Sequence, residues 1–160
     1  VADTFVKVIY AAINKDITYR SLMEWEYSVQ YFPGEWVRPA LYGSKLIAFK
    51  DLKSAISFYG LVIPKSYPYY GKMLWYCQVS NPAFTQIIRM ATRDLVIKFW
   101  KLWNIGWRLD SDYKRTEFSW IYRYKEPTLA VVGDSIKLTR PVLPEEMQKH
   151  AALDYSYLDK

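Results

Sequence analysis

Met73-Leu-Trp-Tyr-Cys-Gln-Val79 reads as the clearest β-strand of the chain, and the segments on either side of it set the fold class. Upstream, Lys45 to Phe49 is a short apolar run that ends at Asp51, a good helix N-cap. Leu52, Ala55, Ile56 and Tyr59 then fall at the spacing of one helical face, and Gly60 suits the helix end. Pro64 to Gly71 carries two prolines, three tyrosines and a glycine and reads as a loop. Nearer the start, Phe5 to Tyr10 alternates around Lys7 as a first strand. Tyr27 to Tyr31 and Glu35 to Val37 read as two strands joined by a Pro33-Gly34 turn.

Downstream, Asn81-Pro82 predicts a helix start, with Asn as cap and Pro at the first helical position. Phe84, Ile87, Ile88, Ala91, Leu95, Phe99 and Leu102 continue a stripe at helical spacing, interrupted by Lys98 and ended by Asn104 and Gly106. Glu117 to Lys125, Leu129 to Val132 and Ser135 to Thr139 read as strands. Pro144 opens a last helix through about Leu153. Strand runs punctuated by two or three helices predict a single α+β domain over residues 1–153 with a largely antiparallel sheet. Residues 154–160 form a tail, loose unless it docks.

A chain of 160 residues is long enough for one real core, and its 51% hydrophobic and 24% charged fractions exclude disorder over most of its length. No apolar run approaches the roughly 18 residues of a membrane span, and the N-terminus lacks the pattern of a standard secretion signal. The expected location is therefore the cytoplasm of a host cell, or a virion. Cys77 is the only cysteine and His150 the only histidine, which removes intramolecular disulfides, thiolate zinc clusters and most catalytic triads. Cys77, inside an apolar strand, reads as an inert thiol, and His150 as a solvated side chain. No cofactor and no metal site are expected.

Lysine and arginine number 22 against 16 acidic residues, a net charge of +6. Beyond Pro141 the balance is acidic, so the body of the chain is more basic than the whole, which favours nucleic acid or an acidic protein surface as partner. The charge concentrates in residues 86–125, together with aromatic rings that include Trp100, Trp103, Trp107 and Trp120. On an ideal helix Arg89, Arg93 and Trp100 lie within about 40° of one another, away from the apolar stripe, which sets two phosphate ligands beside a stacking ring. Lys101, Arg108, Lys114 and Arg115 extend that candidate surface, and Tyr67, Tyr69 and Tyr70 form a candidate partner loop. The competing reading puts the tryptophans in the core with the arginines over their edges.

Tyr27-Ser-Val-Gln-Tyr31 with Gly34-Glu-Trp-Val37, Lys45-Leu-Ile-Ala-Phe49 with Leu52, Ala55 and Phe58, Leu74-Trp-Tyr-Cys-Gln-Val79, and Pro127 to Leu138 together resemble a family of small uncharacterised proteins of bacteriophages and large DNA viruses. The resemblance covers about half the chain, rests on packing residues and carries no catalytic residue. It implies a viral or mobile-element accessory protein that acts by binding, or alternatively a structural or assembly component of a virion. A third reading, an ADP-ribosyltransferase-like enzyme, rests on Glu24-Trp25-Glu26 and Arg20-Ser21, but their order along the chain is wrong for that family. Asp110, Asp112 and Glu117 have the chemistry of a divalent-metal cluster, and Asp110-Ser-Asp112 equally that of a polar turn, which is the reading preferred here.

Overall fold

The computed structural model describes residues 4–13, 17–21, 27–59, 71–87, 93–108 and 128–148. In chain order the elements are β1 (Phe5–Ile13), β2 (Ile17–Ser21), β3 (Gln30–Tyr31), β4 (Trp36–Val37), β5 (Leu46–Phe49), α1 (Leu52–Tyr59), β6 (Gly71–Ser80) and β7 (Ala83–Ile87). They continue with α2 (Arg93–Asn104), β8 (Thr128–Gly133), β9 (Ser135–Pro141) and α3 (Pro144–Gln148). Among the described residues every strand pairing is antiparallel, and the fold is α+β as the sequence predicts.

Alternation of side chains along each strand sorts the residues onto two faces. One face carries Phe5, Ile9 and Ala11 of β1, Met73, Trp75 and Cys77 of β6, Leu46 and Ala48 of β5, Val131 of β8, and Ile136 and Leu138 of β9, all buried together. The sheet curls around this set. β1 pairs with β5, β5 with β8, β9 with β6, and β6 with β1. The ring is completed covalently, because β8 and β9 are one stretch of chain that bends at Gly133 and Asp134 from one pair of neighbours to another. Gly133 allows the corner: a β-carbon there would lie 2.2 Å from Val79 Cγ1 and 2.6 Å from the Ser80 carbonyl oxygen.

The opposite face carries Val6, Val8, Phe49, Leu74, Ala130 and Val132, and the helices cover it. α1 contributes Leu52, Ala55, Ile56 and Phe58, and α2 contributes Leu95, Val96, Phe99, Trp100 and Trp103. The Asp51 cap is present, its Oδ1 accepting from the Ser54 amide at 2.8 Å. α2 ends as expected at Asn104 and Gly106. The Gly106 amide donates to the Trp103 carbonyl, the Trp107 amide to the Leu102 carbonyl, and Gly106 takes φ of 90°, a Schellman-type stop.

Asn81-Pro82 does not start a helix. Asn81 sits at φ 47° between two strands, its amide donating 2.8 Å to Asp134 Oδ2, and residues 83–87 pair with β8. The local cap signal is overridden because the Asn81 side chain has a partner across the corner and β8 offers an edge. The two short strands flanking Pro33-Gly34 both form, but they pair with different neighbours, β3 with β2 and β4 with β9. Gly71, expected as the last residue of a loop, is instead the first residue of β6. Residues 64–70, the strand expected at 117–125, and the end of the last helix with its tail lie outside the described residues.

Candidate functional site

Helix α2 carries the part of the basic, aromatic segment that the structure describes. Its buried stripe is Leu95, Val96, Phe99, Trp100 and Trp103, rotated by roughly 65° from the stripe that runs through Leu102. Trp100 is only 5% exposed, with its ring edge-on to Phe99 at 4.9 Å and to Trp103 at 6.3 Å. The expectation that Trp100 stands outward beside Arg93 is therefore corrected: three large rings, more than one leucine, decide which side of the helix faces the sheet. Arg93, at the first position, and Lys101 remain exposed. Arg108 is engaged locally, its guanidinium 3.3 Å from the Trp103 ring centroid and donating to the Trp103 and Trp107 carbonyls. Arg89, Lys114, Arg115 and the tyrosines at 67, 69 and 70 lie outside the described residues, as do Glu24, Glu26, Asp110, Asp112, Glu117 and His150.

Rings and cations meet instead on the outer face of β4, β9 and β6. Trp36 pairs in register with Lys137, and Lys137 with Gln78, so the three lie side by side across three strands. The Trp36 ring is 49% exposed, with Lys137 Nζ 5.2 Å from its centroid. Further along the same face Tyr76 pairs with Arg140, whose guanidinium lies 4.3 Å from the tyrosine ring. Arg140 also bonds Glu146 of α3 at 2.8 Å, and the Tyr76 hydroxyl donates to the same carboxylate. Burial, then that bond, raises the Tyr76 pKa, so the phenol stays protonated. The sequence reading had treated Trp36 as a packing residue. Its position two residues beyond a Pro-Gly turn, on a short strand, was the available signal for exposure.

The loop from β4 to β5 adds a second exposed ring. Tyr42 is fully exposed at the tip of a turn closed by Ser44, whose amide and hydroxyl both donate to the Leu41 carbonyl. Gly43 takes φ of 84°, and its carbonyl accepts from Asn104 Nδ2 at 2.7 Å, which pins the turn to the end of α2 beside Ile105, itself 79% exposed. Closer to the barrel corner, Lys45 pairs with Asp134 at 2.5 Å. That bond, followed by the one from Asn81, holds the Asp134 carboxyl below its ordinary range, and Arg38 is close enough to add to the effect.

The described interior contains one charged side chain. Lys7, 9% exposed, points into the barrel, where its ammonium donates to the Ile47 carbonyl at 2.5 Å and stands 5.7 Å from the Tyr31 ring centroid. Desolvation lowers its pKa to about 8 and pushes the Cys77 thiol up to about 12. Cys77 is accordingly an inert buried thiol. Trp75, directly opposite Lys7 in register, buries an indole N–H that finds no acceptor among the described residues.

Among the described residues no group of three or more His, Cys, Asp or Glu side chains could hold a metal, and no helix is long and apolar enough to cross a membrane. Comparison with known proteins finds no match among family models, curated proteins or solved structures.

Proposed function

We propose that this protein acts by binding nucleic acid, without catalysing a reaction, through the outer face of β4, β9 and β6. The observation that carries the reading is the row Trp36, Lys137 and Gln78, where an exposed ring and a cation lie side by side on regular structure in a chain of net charge +6. Arg140, 57% exposed on the same face, supplies a second cation. Lys101 and Arg93 on α2 keep the role of outlying phosphate contacts.

The test is a salt titration of binding to a labelled oligonucleotide. Affinity should fall steeply with salt, and Lys137→Ala and Arg140→Ala should each reduce the slope of log Kd against log salt by about one. Absence of binding at about 50 mM salt would overturn the reading. A second reading, a protein partner or self-assembly as in a virion component, is favoured by the exposed apolar pair Tyr42 and Ile105. Light scattering across a concentration series tests it, with self-association lost in Ile105→Asp as the supporting result.

A further inference from the structure

We infer that the nucleic acid bound is single-stranded, held by base stacking on Trp36 and Tyr42, with Arg38 between them in the chain; this rests on the nucleic-acid reading above. Both rings stand on the helix-covered side of the sheet. Trp36 belongs to the outer face by register, because its neighbour Val37 pairs with the buried Ile136, and Tyr42 is tied by Gly43 to the end of α2, which packs on that face. They are six positions apart in the chain, so their α-carbons are at most about 20 Å apart, a span suited to a short run of nucleotides.

Three properties distinguish this arrangement from a duplex-binding surface. A duplex hides the faces of its bases in the stack, whereas an unpaired base presents a face to any ring that is held in place. Here Trp36 is held by its strand pairing and by Lys137, and the backbone that presents Tyr42 is held by a turn with three hydrogen bonds, one of them from a residue 61 positions away. Fixing an exposed aromatic before the ligand arrives reduces the ordering that binding must impose. The cations lie close by: Lys137 stands beside Trp36, Arg140 lies further along the same face over Tyr76, and the exposed Arg38 falls between the two rings in sequence.

The experiment measures fluorescence anisotropy of labelled oligo(dT), oligo(U) and a duplex of equal length, with the wild type, Trp36→Ala, Trp36→Phe and Tyr42→Ala, each variant first checked for an unchanged thermal midpoint. Single strands should bind more tightly than the duplex. Each alanine variant should lose about 5- to 100-fold in single-strand affinity with the salt slope unchanged, and Trp36→Phe should recover most of the loss. Comparison of the two single strands decides between DNA and RNA, which share the unpaired base face. Equal affinity for duplex and single strand, or alanine variants that bind like the wild type, would overturn the stacking inference while leaving a salt-dependent nucleic-acid binder. Loss of all salt-dependent binding would overturn both.

Discussion

Replacing Lys7 by methionine should stabilise this protein at neutral pH, an unusual outcome for a core substitution. Folding takes the amine from a pKa of 10.5 to about 8 because the barrel interior desolvates the ammonium. At about 1.4 kcal/mol per unit, the charged side chain costs the folded state roughly 3 kcal/mol at pH 7. Methionine is close in length and carries no charge, but it leaves the Ile47 carbonyl without its donor, a loss of about 1 to 2 kcal/mol. The expected net gain at pH 7 is therefore about 1 to 2 kcal/mol. The sign of the pH dependence follows from proton counts. Between pH 8 and 10.5 the unfolded chain holds a proton that the folded chain has released, so the wild type gains stability as pH rises, whereas below pH 8 the penalty is constant. From pH 7 to pH 10 the difference between the two proteins should therefore move by about 2 kcal/mol in favour of the wild type, enough to cancel or reverse the gain. Urea denaturation of both at the two pH values measures it. A difference that stays flat with pH would show that Lys7 is charged at no cost, and the assignment of its ammonium to a desolvated interior would be wrong.

Trp100→Ala should lower stability by about 3 to 5 kcal/mol, while Lys101→Ala on the next position should change it by less than about 0.5; similar losses from both would place the wrong side of α2 against the sheet. Gly133→Ala should cost about 3 kcal/mol or more in thermal or urea unfolding, since the new methyl meets the Ser80 backbone as well as Val79, and a variant of wild-type stability would refute the tight corner. Cys77, fully buried and with its pKa pushed up to about 12, should resist iodoacetamide at pH 8 until the protein unfolds; stoichiometric labelling of the native state within minutes would contradict that burial.

The elements that the sequence predicts correctly are those whose signals and partners are local. Asp51 caps α1 from three residues away, Gly106 stops α2 through bonds to its own last turn, and β6, β8 and β9 are apolar enough to be strands in any context. Where the reading failed, the deciding contact came from far along the chain. Asn81 looks like a helix cap until Asp134, 53 residues later, accepts its amide. The buried side of α2 depends on where Trp100 and Trp103 find room among α1 and the sheet, which periodicity alone leaves open between Leu102 and the tryptophans. Lys7 is similar: in a strand covered on both faces, alternation places it opposite Val6 and Val8 without telling that its own side is also enclosed. The candidate site escaped for a related reason, since Trp36 and Tyr42 lie in short segments whose exposure is set by the barrel edge and by Asn104.

The bent strand at 128–141 also bears on how the chain is made. It supplies a neighbour to both β5 and β6, joining Leu46 to Gly133 and Val79 to Ile136, so strands completed early in synthesis wait for one that emerges late. Until residue 141 has left the ribosome, β5 and β6 each have a bare hydrogen-bonding edge, and the apolar barrel lining is without one wall. Such edges template wrong pairings, and contacts this distant in sequence are slow to form. A truncation before Thr128 should therefore yield a sticky fragment whose sheet is incomplete beside both β5 and β6.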